Sequence, residues 1–196
     1  MRPTGTTRAK KPILKKEFDR LTKAVKLNTE IKSPTKLKLI RAFTLLYLTG
    51  CRAGEIINFT RSDLEQMIAE NEYSLTNNTK TKSPRLISFD ETQVQITMLR
   101  GLLPMSGTYL FAKNGCDRPM TSSALKLLMN SFIHNVLGEL YSSHSFRAGY
   151  ITAAHQQGLS LEHIRVDIGH TSIATTARYT TVTHEEISRG KNHRDW

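Results

Sequence analysis

Residues 144–179 read HSFRAGYITAAHQQGLSLEHIRVDIGHTSIATTARY, and this stretch decides the fold. Four chemically loaded side chains recur along it: His144, Arg147, His170 and Tyr179. His144 and Arg147 stand three apart, so a helix places them on one face. Tyr150, Ile151 and Ala154 carry that helix into a core. Gly158 reads as its stop, and Ser160 as the N-cap of the next helix, 161–168. Gly169 ends that second helix and His170 sits at the turn. A short helix starting near Ser172 presents Tyr179.

Upstream, 36–49 is the most apolar segment, with Leu39, Ile40, Phe43, Leu45, Leu46 and Leu48. It reads as the buried spine of the molecule, closed by Gly50. Cys51-Arg52-Ala53-Gly54-Glu55-Ile56 follows and opens a short helix. A cation directly after a buried helix is costly unless paired. Glu55, three residues on, supplies the pair on the same face. By itself this Arg-x-x-Glu reads as a structural ion pair.

The remaining segments assemble around those two. Leu14, Phe18, Leu21 and Val25 fall at helical spacing, and Ser33-Pro34 marks a loop. Residues 62–71 predict a helix capped by Ser62. Residues 72–76 and 85–89 alternate as two short strands. Between them Asn77-Asn78-Thr79-Lys80-Thr81-Lys82-Ser83-Pro84 is rich in turn formers. Residues 90–103 form an amphipathic helix with Asp90 as its cap. Tyr109-Leu110-Phe111 is a buried strand or turn. Residues 121–137 form a helix with Leu125, Leu128, Met129, Phe132, Ile133 and Val136 inward. The pattern predicts a mainly α fold with a small antiparallel β-sheet.

Composition narrows the class. The 196 residues are enough for one domain with a core, and 38% hydrophobic content excludes a disordered chain. No apolar run approaches the ~20 residues of a membrane span, and no secretory signal opens the chain, so no membrane partner is expected. Cys51 and Cys116 offer no disulfide framework or metal spacing and read as reduced thiols of a cytoplasmic protein. Acidic clusters with metal-ligand spacing and Gly-rich phosphate loops are both missing, so no cofactor is expected. A net charge of +11 and a pI near 9.8 favour a polyanionic partner, most simply DNA. Arg2, Arg8, Lys10 and Lys11 make residues 1–12 a basic arm, which either touches phosphates or is a solvated end. His134, His155, His163 and His193 read as surface or satisfied histidines. Arg165 and Arg178 flank the last helices and offer contacts to a nucleic-acid backbone.

Two boxes within 144–179 resemble the C-terminal active-site boxes of the tyrosine recombinases, the phage-integrase family. The H-x-x-R box is His144-Ser145-Phe146-Arg147. The L-G-H-x-x-x-x-T-x-x-x-Y box is Ile168-Gly169-His170, Thr175 and Tyr179, with the tyrosine nine residues after the histidine. Either box alone would arise by chance, but both in this order and separation make a strong signal. Thr49-Gly50-Cys51-Arg52-Ala53-Gly54-Glu55 resembles the family's first arginine box, T-G-x-R-x-x-E.

The resemblance implies a mechanism. Tyr179 would be the nucleophile, and Arg52 and Arg147 would bind the scissile phosphate, with Glu55 orienting Arg52. His170 would donate a hydrogen bond to the phosphate, and His144 would assist proton transfer from Tyr179 or bond the phosphate. In the family a β-hairpin lysine protonates the leaving oxygen, five residues before an arginine that leads into the second strand. Lys80 stands five before Arg85 and is the choice, with Lys82 as runner-up; without the boxes both read as solvated loop lysines. The implied activity is metal- and ATP-independent strand breakage and rejoining through a 3′-phosphotyrosyl intermediate. Double-stranded DNA would be the partner of a homotetramer, and an accessory DNA-bending protein is a further expected partner. The matched region, roughly 13–182, corresponds to the catalytic domain alone, as in short members such as the fimbrial-switch invertases. Residues 183–196 would dock on a neighbouring subunit or fray. Source would be bacterial, archaeal or phage. A type IB topoisomerase-like enzyme and a catalytically idle DNA-binding regulator are the alternatives.

Overall fold

A computed structural model describes residues 10–76, 84–89, 93–113 and 115–180. Its centre is α2 (Ser33–Thr49), on which α1 (Lys15–Leu27), α3 (Ala53–Ile56), α5 (Gln93–Arg100), α6 (Ser122–Leu137) and α7 (His144–Gln156) all pack. Leu39, Ala42, Phe43, Leu45 and Leu46 of α2 are fully buried. Apolar residues on nearly every side of a helix require partners on nearly every side. Phe43 meets Phe146 with ring centroids 5.4 Å apart and Phe132 at 6.1 Å. Burial of each such ring contributes about 1.5–3 kcal/mol.

The first helix packs through Phe18, Leu21 and Val25, as the spacing predicts. Ile13, just ahead of it, is fully buried and was not anticipated. Its N–H donates to the Ser145 carbonyl at 2.9 Å, so this extended segment lies directly on α7. A Cβ added at Gly149 would stand 2.0 Å from the Ile13 carbonyl oxygen. Only glycine permits that approach.

The strands β1 (Glu72–Leu75) and β2 (Arg85–Ser88) pair antiparallel, with Leu75 opposite Arg85 and Glu72 opposite Ser88. The mainly α fold with a small antiparallel sheet is as expected. Several boundaries differ. Ser33-Pro34 is the first turn of α2, because proline is preorganised for a helix start. The helix α4 (Arg61–Glu70) is capped by Thr60, not Ser62: Thr60 Oγ1 accepts from Asp63 N–H, and Asp63 bonds back to Thr60 N. Thr121 caps α6, and Leu128 and Val136 are only partly buried there. Asp90, the expected cap of α5, lies outside the described residues.

The last two helices are α8 (Leu161–Ile168) and α9 (Ile173–Ala177). Ser160 caps α8 and Gly169 closes it at φ 66°, as read from the sequence. Ile151, Ile164 and Ile168 form a second small core, covered by Tyr150, Ala154 and Tyr179. Among the described residues no helix is long and apolar enough to cross a membrane.

Candidate active site

The C-terminal end of α2 organises the site. Gly50 turns the chain out of the helix at φ 59°, and its N–H bonds Leu46 O. A Cβ there would also meet the Tyr150 ring at 2.8 Å. The turn delivers Arg52 to the start of α3 with Glu55 as the third residue of that helix. Glu55 Oε2 accepts from Arg52 N–H at 2.7 Å, and Oε1 accepts from Arg52 Nη1 at 2.7 Å. Glu55 is 3% exposed, so the pair is held rigidly and aims the guanidinium.

Arg147 comes from α7 and is 4% exposed. Its Nη1 donates to Gly50 O at 2.9 Å, its Nη2 to Ile168 O, and its Nε to His170 Nε2 at 3.3 Å. Three of the five guanidinium N–H groups are thus committed, and each terminal nitrogen keeps one. His144, expected beside Arg147, opens α7 on the exposed side, one turn before it.

His170 follows the α8 C-cap and is itself buried. Its Nδ1 lies 3.0 Å from Thr176 Oγ1. Since Arg147 Nε must donate to Nε2, the neutral ring carries its proton on Nδ1 and gives it to Thr176. Burial, and the charges of Arg147, Arg52 and Arg85 after it, push the His170 pKa down to about 4. Burial and the same like-charge crowding bring Arg147 down to about 10. The threonine facing His170 is therefore Thr176, fully buried, rather than the box residue Thr175.

Tyr179 sits in the turn after α9. Its ring lies nearly parallel to His170, with centroids 6.3 Å apart. Thr152 Oγ1 donates to the Tyr179 carbonyl at 3.1 Å, and the ring packs on the small isoleucine core. The nucleophile candidate is thereby tied to the same two helices that supply Arg147 and His170.

Arg85 joins this group without having been foreseen as a site residue. It lies on the buried face of β2, and its Nη1 stands 3.8 Å from Glu55 Oε2. Arg52 and Arg85 thus both face the carboxylate of Glu55, and Arg147 lies close enough to feel their charge. A cleft of about 290 Å³ opens beside them, lined by Arg52, Glu55, Arg85, Arg165, Gly169 and His170 among others. Arg165 donates to the His170 carbonyl at 2.9 Å and pairs with Glu162 at 2.6 Å, so it is set at the rim. Such a cation-walled cleft with one carboxylate among its lining residues is suited to receive an anion. No group of three or more metal-ligating side chains occurs among the described residues. Both cysteines are free thiols, and Cys51, buried beside Arg85, has its pKa raised by that burial. Arg178 is exposed, and His155 Nδ1 is buried without a partner among the described residues, contrary to its reading as a surface or satisfied group. Lys80 and Lys82 lie outside the described residues.

Comparison with known proteins gives this arrangement a family. The tyrosine recombinase XerC of Staphylococcus haemolyticus (strain JCSC1435) is 26% identical over 153 residues, covering 74% of this chain and 49% of that protein. The chain therefore spans about half the length of the curated relatives it matches. The crystal structure of XerA recombinase superposes on all of the chain, and 68% of its own, with a TM-score of 0.68 at 19% identity. The Tn1549 transposon integrase, in complex with a circular-intermediate DNA, gives a TM-score of 0.75 at 15% identity, covering 96% of this chain and 67% of that one. These solved structures establish the fold as that of a tyrosine recombinase catalytic domain. The profile of the phage integrase family matches residues 12–186, and the chain belongs to that family.

Proposed function

We propose that this chain carries the catalytic domain, roughly residues 13–182, of a site-specific DNA recombinase. The observation that carries the reading is that Arg52 and His170 line one cation-walled cleft, with Arg147 bonded to His170 and the Tyr179 ring beside it. Double-stranded DNA is the substrate, in keeping with the net charge of +11 and with the DNA-bound state of the similar Tn1549 integrase. The protein acts as a homotetramer on DNA, with an accessory DNA-bending protein as a further partner. The tail, 183–196, lies outside the described residues; it either docks on a neighbouring subunit or is a frayed end.

The chemistry follows from the residues. A scissile phosphate enters the cleft, and its non-bridging oxygens accept from Arg52 and from the uncommitted N–H groups of Arg147. The anion draws Arg147 Nε away from His170. Thr176 can donate as well as accept, so the imidazole then holds its proton on Nε2 and donates it to the phosphate. Tyr179 Oη attacks phosphorus, the P–O5′ bond breaks, and the departing O5′ takes a proton from Lys80, with Lys82 as the alternative donor. The tyrosine proton leaves through His144 or water. A 3′-phosphotyrosyl link and a free 5′ hydroxyl result. Attack by a 5′ hydroxyl of another strand reverses the step without ATP. Each phosphate donor contributes on the order of 10²–10³ in rate, and the leaving-group acid roughly 10²–10⁴.

The test uses suicide DNA duplexes nicked near the cleavage point, taken from sequence flanking the gene. A covalent protein–DNA adduct on a denaturing gel, lost in Tyr179→Phe, is the expected result. An adduct that survives Tyr179→Phe refutes the assignment of the nucleophile. Site-specific binding with no adduct would identify a regulator instead.

A further inference from the structure

Three protein groups accept from the Arg147 guanidinium, and Tyr150 links the two segments that carry them. Tyr150 follows Arg147 by three residues on α7, so the two share a face. Its ring packs so closely on Gly50 that a Cβ there would stand 2.8 Å from Cγ and 2.9 Å from Cδ1. Gly50 O is the acceptor of Arg147 Nη1. The Tyr150 hydroxyl reaches the other way and donates to Asp167 Oδ2 at 2.7 Å, in the last turn of α8. The next residue, Ile168, gives its carbonyl to Arg147 Nη2, and His170, three on from Asp167, accepts from Arg147 Nε. The same ring covers the small isoleucine core on which Tyr179 also packs.

This pair is costly where it stands. A carboxylate in the last turn of α8 faces the negative end of the helix dipole. Phenol and carboxylate are both partly buried, which takes hydration from each. A phenylalanine would pack against Ile151, Ile164 and Ile168 equally well, so packing alone calls for neither oxygen. Burial first, and the Asp167 charge after it, raise the Tyr150 pKa, so the hydroxyl stays a donor.

We propose that the Tyr150–Asp167 bond positions Arg147: it holds the end of α8 at a fixed distance from the turn at Gly50. The guanidinium then keeps both terminal bonds, to Gly50 O and Ile168 O, while its remaining N–H groups face the phosphate. Without the bond, the α8 end drifts relative to Gly50 and takes the guanidinium with it. A misplacement of ~1 Å costs on the order of 10² in rate, and a smaller drift roughly tenfold. The proposal rests on the reading of Arg147 as a ligand of the scissile phosphate.

The experiment measures single-turnover cleavage by the full chain on the suicide duplexes at saturating DNA, and the DNA concentration that gives half-maximal binding. Tyr150→Phe is expected to cleave roughly tenfold slower, with half-maximal binding within about twofold of wild type. Asp167→Leu should repeat that loss, and carries the test should Tyr150→Phe fail to fold. Asp167→Asn keeps a carbonyl that accepts from the hydroxyl, and should cleave within about threefold of wild type. A merely structural bond would act in any background, so two double variants decide. Added to Arg147→Gln, Tyr150→Phe should slow cleavage less than about twofold; added to Arg52→Gln, it should still slow it roughly tenfold. Normal cleavage by both Tyr150→Phe and Asp167→Leu, no rescue by Asp167→Asn, or the same loss in both backgrounds overturns the proposal and leaves the Arg147 reading in place. A wild type that forms no adduct, or an Arg147→Gln protein that cleaves like wild type, removes that reading and the proposal with it.

Discussion

Two buried arginines, one within α2 and one packed against its end, meet opposite surroundings. Arg41, within α2, is 6% exposed and donates Nε to Leu102 O at 2.8 Å and Nη1 to Leu110 O at 3.2 Å. Burial is the one cause that lowers its pKa. Arg147, on α7 and bonded to Gly50 just past the end of α2, also donates to backbone carbonyls, but Arg52 and Arg85 crowd it with like charge. The first cation is spread over carbonyl dipoles and fastens two chain segments. The second belongs to a set whose charge exceeds what Glu55 can neutralise, and under the proposed function it gains fully only when the scissile phosphate arrives. Burial does not separate these two arginines; the charge of their neighbours does.

The largest expected effect tests that separation directly. Arg147→Gln should slow adduct formation on the order of 10²–10³ while relieving repulsion, so that its melting temperature falls little. Quench-flow cleavage and thermal melts read the two quantities, and a large stability loss with normal cleavage would place Arg147 with Arg41. Gly149→Ala probes the body of the fold. Its Cβ would strike the Ile13 backbone, and a loss of about 3 kcal/mol by urea denaturation is expected. Arg41→Met should cost about 1–3 kcal/mol by orphaning the Leu102 and Leu110 carbonyls, with cleavage by the folded fraction unchanged.

Smaller effects sharpen the comparison. The His170 pKa is lowered from 6.5 to about 4, so between those values the unfolded chain binds a proton that the folded chain refuses. Stability is then full above about pH 6.5 and falls as the pH drops toward 4. Melting curves of wild type should show this slope, and His170→Asn should flatten it. Sulfate in the cleft offsets the cations, raises the His170 pKa and should flatten it as well. Thr176→Val removes the hydroxyl that lets His170 change tautomer, and should slow cleavage roughly tenfold with DNA affinity unchanged. An equal loss in affinity would make Thr176 structural.

The sequence by itself determined what depends on near neighbours. Gly50, Ser160 and Gly169 end or begin helices because a cap is decided within about one turn. Glu55 pairs with Arg52 because three residues on a helix suffice. The boxes around His144, Arg147, His170 and Tyr179 were legible for the same reason: their spacing is local even though their purpose is not. Thr60 took the cap expected of Ser62 because Asp63 answers Thr60 at the right offset, and the Thr60–Tyr109 bridge holds it.

Only the tertiary structure decided partnerships across distant chain. Arg85 looks like an ordinary strand residue until packing brings it to Thr49, Glu55 and Ile168. Arg147 meets Gly50, 97 residues away, and Ile13 finds the one glycine on α7 that admits it. Thr176 rather than Thr175 serves His170 because the orientation of α9 chooses between adjacent hydroxyls. Such choices rest on long-range burial, where the cost of an unpaired charge or a 2.0 Å overlap is paid by the whole fold, and no local pattern records it.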